Sequence, residues 1–479
     1  MKILMASSEA APYAKSGGLA DVVSALSQAL TDQGHEVRVI LPHYRDVSFL
    51  RQKSLPLQCS LSWGIAEHTS FNVVQDTLKS VPYYFLSHPL FSQRPGIYGQ
   101  TSHTPYPDNN RRFALFQHGV FALCREMGWI PDIIHCHDWT TGLIPFLLKD
   151  TYRHEFPDTA SVMTIHNLGY QGIYPRLDLH MLGLPSEAAL PFGDINMLRI
   201  GIASADWVTT VSPTYAEEVK TPEFGHGLDE LLKQRSGEFT GILNGVDYTE
   251  WNPETDQLIE QTYSADTLDL KKENKRAFQQ EMGLPITDEK PLFVMVSRIA
   301  EQKGFLELLT NGTSALEEIL KQLPVQFAII GTGDYRLEQE LTALSKRHEQ
   351  LSVRIAFENR LAHLAEAAGD FFFMPSRYEP CGLNQIYSLR YGTLPVVRRT
   401  GGLADTVQDI SEDHQGTGFV FEQLLSEQML ESIRRAAELW IDHSNQYRNA
   451  QIHAMTQDFS WVRSAEIYTE VYDKIRRST

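Results

Sequence analysis

The sequence predicts an α/β protein built from two Rossmann-like, doubly wound domains. Three observations carry this prediction. Short apolar runs alternate with longer amphipathic stretches along all 479 residues. The runs are rich in Val, Ile and Phe and lack regular polar alternation, as strands covered on both faces do. The strand–helix rhythm occurs twice, interrupted by a cluster of turn residues at Asn244-Gly245-Val246-Asp247. The length also exceeds what one compact core accommodates and suits two or three domains.

In the first half the strand candidates are 3–7, 36–41, 81–86, 132–136, 161–165 and 207–211. Segment 55–86 departs from the rhythm and predicts inserted antiparallel hairpins. In the second half the candidates are 292–297, 326–331, 353–357, 371–375, 394–398 and 417–421. Between them, Asp21 to Leu30 places Val22, Leu26, Ala29 and Leu30 on one helical face. Phe305 to Leu320 repeats the pattern with Leu308, Leu309, Leu316, Ile319 and Leu320. A last helical stretch runs from about Trp461 to Ile475, and periodicity does not say which domain it covers.

Composition narrows the function classes. Apolar residues make up 42% and charged residues 21%, as in a globular enzyme. With 42 Lys and Arg against 60 Asp and Glu, the net charge is −18, which disfavours nucleic acid and anionic membrane as partners. A neutral glycan, or one small anion in a locally basic cleft, remains compatible. Cys59, Cys124, Cys136 and Cys381 form no CxxC and are too few for a disulfide framework. The apolar run Ile3 to Ala6 is too short for a signal-peptide core, and no run approaches the ~20 residues of a membrane span. These features predict a cytoplasmic protein.

Ligands of open α/β sheets bind beyond the carboxyl ends of the strands, so the loops there are the candidates. After the first strand comes Lys15-Ser16-Gly17-Gly18-Leu19-Ala20-Asp21, whose glycines and helix N-terminus suit an anion beside Lys15; a plain tight turn with a solvated lysine is the alternative. Neither GxGxxG nor GxxxxGK[ST] is present here, which excludes a Walker-type loop. After 292–297 comes Arg298-Ile299-Ala300-Glu301-Gln302-Lys303-Gly304. Two cations in one short loop suit the charge of a departing diphosphate; a solvated loop with an Arg–Glu pair is the alternative. After 371–375 comes Ser376-Arg377-Tyr378-Glu379-Pro380-Cys381-Gly382-Leu383-Asn384-Gln385, where the N–H groups of 382–384 open toward a phosphate or sugar. Glu379 either meets sugar hydroxyls or is an exposed loop acid favouring a helix N-terminus. Cys381 reads as packing.

His135, His137 and Asp138 end one strand, and His166 and Asn167 follow another. His-x-His beside an acid is a candidate metal site, but a single adjacent carboxylate favours hydrogen-bonding roles for Asp138, His166 and Asn167. Gly331-Thr332-Gly333 starts like a dinucleotide fingerprint, yet Arg336 stands at the third glycine.

Taken together, KSGGLAD, THN, NGVD, RIAEQKG, SRYEPCGLNQ and YGTLPVVRRTGGLADTV resemble the bacterial and plant-type glycogen and starch synthases, nearly end to end. The resemblance implies two Rossmann-like domains facing a cleft (the GT-B type). It assigns residues 1–245 to the acceptor side, with the helix of about 461–479 packing back on them, and 246–460 to the donor side. It implies ADP-glucose as donor, an α-1,4-glucan such as glycogen as acceptor, and no cofactor and no metal. Lys15, Gly17 and Gly18 would approach the donor, with Asn167, Asn244 and Cys381. Arg298 and Lys303 would hold the diphosphate with Gly382, Leu383 and Asn384. Glu379 and His166 would meet the glucosyl unit, Asp138 would face the acceptor, and Asp21 and Tyr98 would line the sugar cleft. Phe357 matches a position where the family stacks tyrosine on adenine. Ser16, Ala20, Asn384 and Phe357 depart from the family's usual Thr, Gly, Thr and Tyr, and the last two leave UDP-glucose as an alternative donor. A metal-dependent hydrolase using His135, His137 and Asp138, and a non-catalytic glucan-binding protein, are the other readings.

Overall fold

The computed structural model describes residues 1–50, 53–63, 67–101, 104–184, 194–309, 314–411 and 415–478. The chain divides into two compact units, Met1–Gly245 with Trp461–Thr479, and Val246–Ser460.

Among the described residues the first unit holds a nine-stranded sheet. Its strands are β1 (Lys2–Ala6), β2 (Glu36–Pro42), β3 (Lys53–Trp63), β4 (Glu67–Leu78), β5 (Val81–Ser87), β6 (Ile133–His137), β7 (Ala160–Ile165), β8 (Trp207–Thr210) and β9 (Phe239–Gly241). They lie in the order β9-β8-β7-β6-β1-β2-β5-β4-β3. Pairing is parallel from β9 through β5, as both-face-covered runs predict. The segment expected to form hairpins does so: β3–β4 and β4–β5 are antiparallel and extend one edge. β9 was not foreseen as a strand, because three residues around Thr240 carry too little apolar signal.

Helix α1 (Gly18–Asp32) starts three residues before the apolar pattern and buries Leu19, Val22, Val23, Leu26 and Leu30. Helix α2 (Asn109–Glu126) is buried along nearly its whole length. The C-terminal helix (Trp461–Ser478) belongs to this unit. It buries Ala465, Tyr468 and Tyr472, and is tied by Ser464 Oγ to the Leu243 carbonyl at 2.6 Å and by Thr469 Oγ1 to His35 Nε2 at 3.1 Å.

The second unit holds β10 (Leu292–Val296), β11 (Gln326–Gly331), β12 (Leu351–Ile355), β13 (Phe371–Met374), β14 (Leu394–Arg398) and β15 (Phe419–Phe421), in the parallel order β12-β11-β10-β13-β14-β15. Phe293 at its centre lies between Phe327 (5.1 Å) and Phe371 (4.8 Å). The helix expected over 305–320 is two helices, Phe305–Leu309 and Ala315–Gln322. Ser314 starts the second by accepting the Glu317 N–H at 3.2 Å, a cap that apolar periodicity does not register. Residues 310–313 of that stretch lie outside the described residues.

Each sheet reverses its winding at one place. In the first unit β1 has β2 on one side and β6 on the other; in the second, β10 has β11 on one side and β13 on the other. These reversals open a crevice at the strands' carboxyl ends. Among the described residues no helix is long and apolar enough to cross a membrane.

Candidate active site

In the first unit the loop after β1 is organised by an acid the sequence analysis passed over. Glu9 is buried and accepts hydrogen bonds from Ser16 N (2.5 Å), Ser16 Oγ (2.7 Å), Gly17 N (3.3 Å) and Tyr98 Oη (2.5 Å). The Ser16 and Gly17 N–H groups just before the helix are therefore spent on Glu9. Its one sequence signal was an acid just past a strand's carboxyl end. Lys15 is half exposed and paired with Asp21 at 2.7 Å. Tyr98 also meets Ser8 Oγ at 3.0 Å, and Thr140 Oγ1 donates to the same Ser8 Oγ at 3.1 Å, which links the β1 loop to the β6 loop.

Asp138 follows β6 with φ at 56°, a left-handed conformation uncommon outside glycine. Its Oδ1 accepts the His166 N–H at 2.7 Å and the Asn167 N–H at 3.5 Å, so the loops after β6 and β7 share one carboxylate. Burial pushes its pKa up to about 7; the two N–H groups pull the other way, and the Glu9 charge adds to the rise. His137 Nδ1 and His166 Nε2 are 3.0 Å apart. Burial lowers the pKa of His166 to about 3 and that of His137 well below the ordinary range, so both rings are neutral. His135 is committed at both nitrogens, Nδ1 to Tyr472 Oη (2.7 Å) and Nε2 to Thr164 Oγ1 (2.5 Å). That engagement removes His135 as a metal ligand and overturns the His-x-His reading. Among the described residues no group of three or more His, Cys, Asp or Glu is disposed to hold a metal ion.

In the second unit three loops interlock at the β10/β13 reversal. Gly304 has φ at +80°, and a Cβ there would lie 1.8 Å from the Pro375 carbonyl oxygen. Arg377 N donates to the Gln302 carbonyl at 2.9 Å. A Cβ on Gly402 would lie 1.9 Å from the Cys381 carbonyl oxygen, so the Gly-Gly after β14 presses on the same loop. Only glycine permits these approaches. Gly331 and Gly333 have a similar cause: they fit against the carbonyls of Ser297 and Ile299, which explains a Gly-x-Gly without a dinucleotide.

Within this frame Lys303 Nζ meets Glu379 Oε2 at 2.5 Å, and Ser376 Oγ donates to the same oxygen at 3.1 Å. Glu379 is 6% exposed, so it is not the exposed loop acid of the alternative reading. Arg298 is exposed and donates to Gln302 Oε1 at 3.1 Å. Among the described residues the N–H groups of Gly382, Leu383 and Asn384 have no hydrogen-bond partner. The Asn384 side chain donates to the Val296 carbonyl at 2.6 Å, binding the loop to the end of β10. Cys381 is buried and in no disulfide, as are the other three cysteines. Two predicted residues stand apart from these clusters. Phe357 is 90% exposed beyond β12, and Asn244 is buried with an Oδ1 that has no partner among the described residues.

Two doubly wound units, one carrying two cations and open N–H groups at its switch point, fit a protein that binds a phosphorylated ligand. Residues 2–234 match the starch synthase catalytic domain family and residues 278–453 the glycosyl transferases group 1 family, and the chain is a glycosyltransferase. It belongs to the glycogen and starch synthase family. A glycogen synthase of Treponema denticola is 43% identical over 481 residues, covering 98% of each chain. Another, from Koribacter versatilis, is 42% identical, covering 100% of this chain and 99% of that one. The catalytic domain of starch synthase IV from Arabidopsis thaliana, solved with ADP and acarbose bound, is 32% identical over 99% of each chain with a TM-score of 0.90. A sucrose-phosphate synthase from Thermosynechococcus elongatus shares the fold at 17% identity and a TM-score of 0.62.

Proposed function

We propose that this chain transfers glucose from ADP-glucose to the non-reducing end of an α-1,4-glucan, with retention at the anomeric carbon, and that it does so in the cytoplasm. The observation that carries the reading is the loop pair at the β10/β13 reversal. Arg298 and Lys303 stand in one short loop, beside N–H groups of Gly382, Leu383 and Asn384 that have no partner among the described residues. Names of relatives add support: they are glycogen synthases, and a starch synthase of like structure binds ADP and acarbose.

In this reading the acceptor 4-hydroxyl attacks the anomeric carbon on the face from which the diphosphate leaves. The bond to the diphosphate breaks as the new glycosidic bond forms, and the departing oxygen takes the acceptor's proton. Arg298 and Lys303 stabilise the charge that develops on the diphosphate. Without ligand Lys303 is held by Glu379, so a diphosphate competes with that carboxylate for the ammonium. Glu379 contacts the glucosyl unit as a hydrogen-bond acceptor. A retaining glycosidase uses two carboxylates, and with no second one proposed beside Glu379 no covalent glycosyl intermediate is assigned to it.

Residues 246–460 serve the donor, with Phe357 against the base and Cys381 in the wall. Residues 1–245 and the C-terminal helix serve the acceptor. There Lys15, Gly17, Gly18, Asn167 and Asn244 reach toward the donor, His166 toward the sugar, Asp138 toward the acceptor, and Asp21 and Tyr98 line the sugar path. UDP-glucose is the rival donor. The Asn384 departure counts little toward it, since that side chain is spent on Val296.

The test measures nucleotide release from ADP-glucose and from UDP-glucose, with and without glycogen. Arg298→Ala and Lys303→Ala are each expected to lower kcat by about 10²–10³-fold. Rates within a few-fold of the parent would sink the diphosphate role. Faster release from UDP-glucose would overturn the donor.

A further inference from the structure

His137 is buried at the end of β6, stacked on His135 with ring centroids 4.3 Å apart. Its Nδ1 lies 3.0 Å from His166 Nε2, while its own Nε2 is buried with no hydrogen-bond partner among the described residues. Two neutral rings joined this way share one proton, and only two arrangements exist. If His166 donates, His137 must carry its own proton on Nε2, and that N–H is buried without an acceptor. If His137 donates from Nδ1, its Nε2 is a bare lone pair. Buried orphan N–H groups are the rarer of the two defects. His166 then accepts at Nε2 and carries its proton on Nδ1, a nitrogen that is not buried and has no partner among the described residues.

We infer that His137 is a positioning residue: it fixes the His166 proton on Nδ1, so that His166 presents a hydrogen-bond donor to the sugar. Burial keeps both rings neutral, which preserves the one-proton arrangement. The backbone side of His166 is held independently, by Asp138 Oδ1 on its N–H at 2.7 Å. Backbone and ring are thus set by consecutive residues of one strand end. The inference rests on the reading that His166 faces the sugar, but the state of its ring can be read without any turnover.

The experiment uses the full chain labelled with ¹⁵N at histidine, and long-range ¹H–¹⁵N correlation at neutral pH. Loss of one signal set in His166→Gln identifies His166. The expected parent signature is a protonated Nδ1 and an unprotonated Nε2. A protonated Nε2 on His166 overturns the inference. His137→Phe removes the donor, and is expected to shift His166 toward the Nε2–H form and lower kcat about tenfold. His137→Asn can place an amide N–H near the lost Nδ1, and is expected to restore both the Nδ1–H signature and most of kcat. If His137→Phe leaves the His166 tautomer unchanged, His137 is packing only and the inference fails. If the tautomer behaves as stated but His166→Gln leaves turnover intact, the sugar-facing reading of His166 fails instead.

Discussion

Asp138 shows what one buried acid costs and when. Its pKa is raised, chiefly by burial, to about 7, against about 3.9 in an unfolded chain. Between those values the folded protein holds a proton that the unfolded chain has released. The contribution of Asp138 to stability therefore falls as pH rises from about 4 to 7 and levels off above. Asp138→Asn keeps an oxygen for the His166 N–H but has nothing to ionise. Its Tm is expected to exceed the parent's at pH 8 and to match it closely at pH 4.5, by scanning fluorimetry. An equal gap at both values would mean that ionisation of Asp138 carries no such cost. If the carboxylate serves the acceptor, glucosyl transfer by the parent should rise as pH passes through about 7 while the variant stays low. Asp138, Arg298 and Lys303 were each legible from their places after strands. Glu9 was not, because its importance lies in the four donors gathered on it from positions 16, 17 and 98.

Elements of the second unit are joined by buried polar groups beneath the EPCGLNQ loop. Helix α3 (Lys271–Met282) begins with Lys271, whose Nζ donates to the carbonyls of Glu366 (3.2 Å) and Ala367 (2.8 Å) and to Thr393 Oγ1 (2.7 Å). Those carbonyls close helix α4 (Asn359–Ala368), where no continuing helix supplies N–H donors. Burial lowers the Lys271 pKa to about 7 and raises that of Glu366 to about 8, while those three acceptors around Nζ match the three N–H donors of the ammonium form. Lys271→Met removes the cap without removing bulk. The expected loss is about 1–3 kcal/mol in urea unfolding with an unchanged m-value. A variant as stable as the parent would show that α4 is closed by other means. The glycines of this region were visible in the sequence as turn formers. That Gly304 and Gly402 press against the carbonyls of Pro375 and Cys381 is a long-range fact with no local signature.

Across the whole molecule, the chain returns to its first unit at the end. Tyr468 and Tyr472 are fully buried there, and Tyr472 Oη holds His135 beneath the β6 strand end. Deleting 461–479 would expose this core and leave His135 Nδ1 without its partner. Limited proteolysis followed by mass spectrometry should then cut residues 1–245 early while peptides of 246–460 persist. Equal resistance of both segments, as in the parent, would refute this dependence. Amphipathic spacing alone announced a terminal helix; its destination depends on surface supplied by residues 221 to 434 positions earlier.

Local patterns were sufficient for the parallel strands other than β9, for the edge hairpins and for the place of the cationic loop, because each rests on residues within about ten positions of one another. Apolar runs without polar alternation already pointed to sheets covered on both faces, as both parallel sheets are. Closure of the Phe305–Leu320 pattern into two helices turned on one capping hydroxyl. The proton on His166, the four-donor grip of Glu9 and the pairing of Lys303 with Glu379 had to wait for the fold. The His137–His166 and Lys303–Glu379 contacts join different strand ends, and Tyr98 reaches Glu9 from 89 positions away, geometry that exists only once the chain has folded.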